Sequence, residues 1–402
     1  MSGLLYAQDN AYQFSQLDIT NGLSSNQVNC ICKDSQGFMW FGTSSGLNRY
    51  DGYEFKVYKH RAGDSSSINN NYIERMFPGP GNKLWLYTHL GFCIYDPQNE
   101  KFSNNVEGEL QKYRIQAGKI ASIKMDDYGR SWFITTGHGV YCYDPKTTKT
   151  TLYNTTSESK IVLYSNNIAD IVSGDGGRIW LVYNNGVIDQ LDILNNRVLS
   201  RSFDLYNDNG HRQMLYNAVS GYDKQLWIYV PANDKGVYCY NTKSGSLLHF
   251  AKNSPQMALN SNVINGVVQG EKNTMWIGTD QGGINIIDLA AHKVSYVMNR
   301  MDDPKSLLGN CVELYKDNTG IIWAGTFKEG ISYYHKEISQ FPLVRHYMLD
   351  AASLPVGDVD CFVEDAAGNL WIGTNGGGLM FYDKNTNCLN ITRPIQTAWR
   401  VM

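Results

Sequence analysis

Apolar positions in this chain come in short runs, and the clearest set lies at residues 359–383 (VDCFVEDAAGNLWIGTNGGGLMFYD). Residues 359–363 are nearly all apolar. Asp365-Ala366-Ala367-Gly368 reads as a turn, since Asp favours its first position and Gly tolerates positive φ at its end. Residues 370–374 are a second run, carrying Trp371. Asn375-Gly376-Gly377-Gly378 turns the chain again, and residues 379–382 are a third run. Residues 389–392 can follow as a fourth. Short runs rich in β-branched and aromatic residues, bounded by Asp, Asn and Gly, predict antiparallel strands.

The same unit recurs eight times. Its tryptophans are Trp40, Trp85, Trp132, Trp180, Trp227, Trp276, Trp323 and Trp371, spaced by 45 to 49 residues, and only Trp399 stands outside the series. Four strands per repeat at such a period predict an all-β fold, a β-propeller of four-stranded antiparallel blades. One blade alone is a sheet with two apolar faces. Its neighbours must cover both, which accounts for strands without clean polar alternation. The repeated tryptophans therefore read as wedges between blades rather than as sugar-stacking platforms, because a binding site is local and a wedge is not.

Residues 12–19 (YQFSQLDI) are a strand arriving before any repeat. A propeller closes when a strand from one terminus completes the blade made by the other, and this strand is a natural clasp. It completes either repeat seven or repeat eight. Seven blades are favoured, over residues 12–340, with residues 341–402 beginning a second propeller; the alternative is an eighth blade. A strand at 341–347 would open that last part. Residues 1–11 are an N-terminal tail, in which MSGLLYAQ resembles the end of a secretion signal.

Net charge is −3, from 35 Lys and Arg against 38 Asp and Glu, and no basic tract occurs. That argues against a nucleic-acid or anionic-membrane partner. No apolar run approaches the roughly 20 residues that span a bilayer. The eight cysteines occupy repeat positions: Cys30 and Cys361 are equivalent first-strand residues, Cys142 and Cys239 equivalent third-strand residues. Most of them read as small buried hydrophobes, with no CxxC pair for zinc.

The motif W-x-G-T-x-x-G-L-x-x-Y-D at residues 40–51 (WFGTSSGLNRYD) follows Asn26, Val28, Ile31, Asp34 and Gly37 at N-x-V-x-x-I-x-x-D-x-x-G-x-x-W spacing. With the linker Asp302-Asp303-Pro304-Lys305-Ser306-Leu307, it resembles the two-component-regulator propeller repeat of hybrid two-component sensors in gut Bacteroidetes. The resemblance covers residues 12 to about 392. Repeats two, four and five depart from it, with Tyr87, Val182 and Tyr229 at the motif glycine. It implies the periplasmic sensing part of an inner-membrane histidine kinase. Such sensors detect glycan-derived oligosaccharides, control polysaccharide-utilisation genes and act as homodimers. It further implies a non-catalytic chain with no cofactor, here a fragment lacking the sandwich, membrane helix and kinase. The alternative class is a propeller enzyme, a lyase or glycosidase.

Candidate chemistry is sparse. Asp34-x-x-Gly37-x-x-Trp40 is similar to the Asp-box of sialidase propellers, but its spacing is one residue longer. No arginine cluster suited to a carboxylate substrate is evident. His89 and His138 sit in loops like the base of streptogramin-inactivating propeller lyases, with no neighbouring acid. Asp126-Asp127 and Asp302-Asp303 lack a calcium-loop pattern. The turns between first and second strands look uniform, with Asp34, Asp127, Asp317 and Asp365. The turns between second and third strands vary, and variable loops are where specificity can reside. An oligosaccharide site is therefore expected on that second face near the central channel, using Tyr87, His89, His138, Asn184, Tyr229 and Lys328. No metal is expected.

Overall fold

A computed structural model describes residues 12–116, 119–156, 160–271, 273–337, 353–384 and 388–392. The expected strand at 341–347 and Trp399 lie outside the described residues. The chain is a β-propeller-type protein, and its described residues form eight four-stranded antiparallel sheets. The first sheet runs Val28–Lys33, Met39–Thr43, Gly46–Tyr50 and Phe55–Tyr58. Its second strand is buried throughout and its fourth is partly exposed, as expected when the first strands crowd the centre and the fourth strands lie at the rim.

Two compact units divide the chain, residues 1–299 with 307–335 and residues 300–306 with 336–402. The first unit holds seven sheets. Ser15–Leu17 pairs with Ile331–Tyr334, Ser15 opposite Tyr333, so the clasp strand completes the seventh repeat. The apolar clusters explain the order. Each tryptophan packs on the following sheet: Trp40 with Ile73 and Leu84, Trp132 with Ile168 and Leu181, Trp227 with Ile264 and Ile277. Trp323 packs on Val28 and Phe41 of the first sheet. The seven tryptophans of this unit are at most 6% exposed, as wedges must be.

Within a blade the motif residues do backbone work. The Thr43 hydroxyl donates to Gly46 O at 2.9 Å, and Thr135, Thr279 and Thr326 repeat that bond to Gly139, Gly283 and Gly330. The motif glycine is a packing requirement. A Cβ on Gly42 would stand 2.5 Å from Cys30 Sγ and 2.7 Å from Ile73 Cγ2 of the next sheet. Two short helices, Val106–Lys112 and Asp204–Asp208, lie in links between sheets.

The second unit contains the eighth sheet: Val359–Glu364, Leu370–Thr374, Gly378–Asp383 and Cys388–Thr392. The cysteine expectation holds for Cys32, Cys93, Cys142 and Cys239, which are buried. It fails for Cys361, exposed on that sheet's first strand, and for Cys311, whose thiol donates to Asp280 Oδ1 at 2.6 Å.

Candidate functional site

The turns between first and second strands share one backbone closure. The residue six before each tryptophan donates its N–H to the carbonyl four residues on, from Asp34 N to Phe38 O at 3.0 Å and from Gly79 N to Lys83 O at 2.8 Å. Their side chains are not uniform, contrary to the sequence expectation. The position reads Asp34, Gly79, Asp126, Gly174, Gly221, Gly270, Asp317 and Asp365. Asp126, not Asp127, is the third member, because its carboxylate accepts the Trp132 indole N–H at 2.8 Å. Asp34 and Asp317 accept from Trp40 and Trp323 at 2.7 and 3.2 Å. The glycine turns let the indole lie on the backbone: a Cβ on Gly79, Gly221 or Gly270 would come 2.5 or 2.6 Å from it.

Asp317 shows the electrostatics of the aspartate turn. Burial pushes its carboxyl up, but bonds from Thr319 and the Trp323 indole, with Lys33 nearby, outweigh that. They hold it below the ordinary carboxylate value. Lys33 Nζ lies 3.5 Å from it.

Among the described residues no hydrogen bond, ion pair or ring contact joins any two of the six residues predicted on the face of the second-to-third-strand turns. His89 is exposed and stacks on Tyr72 at 4.2 Å, while the Arg75 guanidinium lies 4.7 Å over the Tyr87 ring. His138 is exposed, its Nδ1 2.8 Å from Thr136 O. The Lys328 ammonium lies 5.2 Å over Phe327. Asn184 keeps a buried Oδ1 without a donor, and its carbonyl accepts from Met214 N at 2.6 Å. Tyr229 is only 5% exposed. Burial pushes its hydroxyl pKa up, and the oxygen is 3.4 Å from Asn217 Nδ2. Tyr229 thus faces inward rather than onto the loop surface.

Sequence reasoning missed two places. A cavity of about 300 Å³ on this face is lined by Asp208, Arg212, Met214, Tyr216, Lys235 and Tyr238. It includes Lys235, the last residue of the insertion at 231–235, which was the available signal. On first strands, Lys124 pairs with Asp170 at 3.0 Å, and burial pushes the Glu313 carboxyl up to about 8. Among the described residues no group of three His, Cys, Asp or Glu is placed to hold a metal ion. No helix among them is long and apolar enough to cross a membrane.

The architecture defines the class: an all-β propeller of four-stranded antiparallel sheets. The two-component regulator propeller family model matches residues 22–45 and 353–376, so the chain carries repeats of that family, as their motif indicated. "Histidine kinase P4" of Formosa agariphila is 40% identical over 65 residues, 16% of this chain and 5% of that protein. The extracellular domain assigned to the hybrid two component system BT3049 of B. thetaiotaomicron matches with TM-score 0.60 at 22% identity. That match covers 95% of this chain and 55% of that one. A B. thetaiotaomicron extracellular domain assigned to BT4673 matches with TM-score 0.57 at 18% identity, covering 94% and 54%. The WD40 propeller domain of Doa1 matches with TM-score 0.52 at 10% identity, covering 82% of this chain and 98% of that domain. At these identities the structures speak for the fold. The chain spans about half the length of the two B. thetaiotaomicron domains.

Proposed function

We propose that this chain is part of the periplasmic, ligand-sensing region of a hybrid two-component sensor histidine kinase. On this reading it recognises glycan-derived oligosaccharides, regulates polysaccharide-utilisation genes and works as a homodimer in the full-length sensor. It is not itself an enzyme. The observation that carries the reading is the coincidence of two-component-regulator repeats with the fold of extracellular domains from such systems. We place the site on the face of the variable turns, with Tyr87, His89, His138, Asn184, Tyr229 and Lys328 as its members, of which Tyr229 is buried.

The domain division belongs to the same proposal: a seven-bladed propeller over residues 12–340, then the start of a second at 341–402. Supporting it, Val359 and Phe362 of the eighth sheet are 41% and 74% exposed, while the matching Val28 and Ile31 of the first sheet are 4% and 8% exposed. The eighth sheet has apolar faces that a further blade would cover.

Calorimetric titration of the complete sensing region with a panel of glycan oligosaccharides tests the function. One ligand should bind, and His89→Ala or His138→Ala should weaken it at least about tenfold, roughly 1.4 kcal/mol, without lowering the melting temperature. Binding that ignores both changes but is lost on substitution in the Asp34 turn would show that the other face carries the site.

A further inference from the structure

Sheets three and four differ at one turn position in a way that points to a ligand. In sheet three the Asp126 carboxylate gathers two donors on Oδ2, the Trp132 indole at 2.8 Å and Arg130 Nε at 2.6 Å. In sheet four the equivalent positions hold Gly174, Arg178 and Trp180. The backbone closes alike, Gly174 N to Arg178 O at 2.9 Å against Asp126 N to Arg130 O at 3.0 Å. The guanidinium and the indole are retained and the carboxylate is missing. Among the described residues nothing accepts from the Trp180 indole N–H, and no carboxylate pairs with Arg178.

The other glycine turns are closed where this one is open. Trp227 finds an acceptor in Gln225 Oε1 at 3.2 Å. Trp85 is fully buried with its N–H unpaired. At Gly270 an added Cβ would strike the Trp276 indole at 2.5 Å, whereas on Gly174 it would stand 3.2 Å from Trp180 Nε1. Gly174, Arg178 and Trp180 together line a groove of about 480 Å³, within the range of small-ligand sites. Arg178 is exposed on it.

We propose that this groove binds a carboxylate-bearing ligand, whose carboxylate bridges Arg178 and the Trp180 indole as the Asp126 side chain bridges their counterparts. A planar guanidinium fork beside a second N–H donor suits a carboxylate. The groove is otherwise balanced. Asp127, Asp175 and Asp223 line it with Lys224 and Lys243, and Asp175 pairs with Lys224 at 3.6 Å. Selection therefore comes from a guanidinium and an indole N–H that line the same groove rather than from net charge. The amides of Gln190 and Gln225, which also line the groove, suit hydroxyl groups. The carboxylate site stands on this geometry. Its assignment to an acidic sugar rests on the glycan-sensing reading above.

The test is calorimetric titration of the 402-residue chain with galacturonate trisaccharide, neutral galactose trisaccharide and acetate. The uronate should bind, with the neutral sugar at least about tenfold weaker. Arg178→Ala should weaken the uronate by about tenfold or more without shifting the melting temperature, because the side chain is exposed. Gly174→Asp supplies the carboxylate internally, so it should abolish uronate binding and raise the melting temperature. Gly174 is extended at φ −122°, a conformation open to Asp, and its new Cβ, 3.2 Å from Trp180 Nε1, requires the indole to give by a few tenths of an ångström. Equal affinity for charged and neutral sugars, no binding of either carboxylate, or uronate binding indifferent to both substitutions would overturn the proposal. Acetate binding that Gly174→Asp removes, without uronate binding, would keep the carboxylate site and count against the sugar assignment alone. Should Gly174→Asp fail to fold, Arg178→Ala decides.

Discussion

The first and eighth sheets carry nearly the same motif, WFGTSSGLNRYD and WIGTNGGGLMFYD, and they make the same bonds. Each first strand bulges at the same place, between Val28 and Cys30 and between Val359 and Cys361. Each first turn closes on an aspartate N–H, and each second turn on a threonine hydroxyl donating to glycine, Thr43 to Gly46 and Thr374 to Gly378. Their burial is opposite. Ile31 and Cys32 are 8% and 4% exposed, whereas Phe362 and Val363 at the matching positions are 74% and 62% exposed. The motif thus specifies a sheet and its turns through local hydrogen bonds. Burial of the two faces comes from neighbouring sheets, the second and seventh for the first sheet.

The sharpest break of that comparison is the wedge itself. Trp40→Ala should cost about 3–5 kcal/mol, because it empties space between Leu84, Tyr95 and Leu47. Trp371→Ala, in a half-buried position, should cost under about 2 kcal/mol. Denaturant unfolding followed by the fluorescence of the remaining tryptophans measures both. Equal losses would mean that the eighth sheet packs as the first does.

The motif glycine gives a smaller contrast. A Cβ at Gly42 meets Ile73 of the adjoining sheet, so Gly42→Ala should destabilise by about 1–3 kcal/mol through overpacking. At Gly373 the added Cβ meets, among the described residues, Cys361 of its own sheet alone, the exposed residue's Sγ at 2.8 Å and its carbonyl O at 3.8 Å. That thiol can rotate aside, and Gly373→Ala should cost below about 1 kcal/mol. The same unfolding assay ranks the pair, and a reversed ranking would locate the close neighbour elsewhere.

What could be read in the chain follows the same division. The tryptophan period was legible because each Trp holds one register against its partner strand, Trp40 opposite Cys32 and Trp132 opposite Lys124. The sheet joined by the clasp strand was not, since Ser15 and Tyr333 meet only through closure across the whole chain. Asp126 and Asp127 are neighbours of one type; Asp126 stands six residues before its tryptophan, as Asp34 does, and it is the carboxylate that accepts the Trp132 indole. The loop face was chosen from variability, which says nothing about depth, so Tyr229 was counted among surface residues although it is buried. The groove at Trp180 is made by something missing. Its trace in the sequence is an arginine kept two residues before the tryptophan where the aspartate four residues earlier has become glycine.

The smallest expected effect separates two aspartates of the same turn. Asp317, in the seven-sheet unit, and Asp365, in the eighth sheet, both have carboxyl pKa values below the ordinary one. For Asp317, burial opposes ionisation and the bonds from Thr319 and Trp323 overcome it. For Asp365 the largest cause is the Asn369 N–H, in an exposed turn. A carboxyl depressed on folding stabilises the protein fully above its unfolded pKa, near 3.8, and that contribution disappears as pH falls through the lower folded value. Asp317→Asn should therefore cost about 1 kcal/mol at pH 7, and the gap to the parent should close below about pH 4. Asp365→Asn, where water competes for the same donors, should shift the melting temperature less at every pH. Melting curves from pH 7 to about pH 2.5 decide it. A parent–Asp317→Asn gap that stays constant across that range would show that the carboxylate's charge contributes nothing and that only its shape is needed to receive the Trp323 indole.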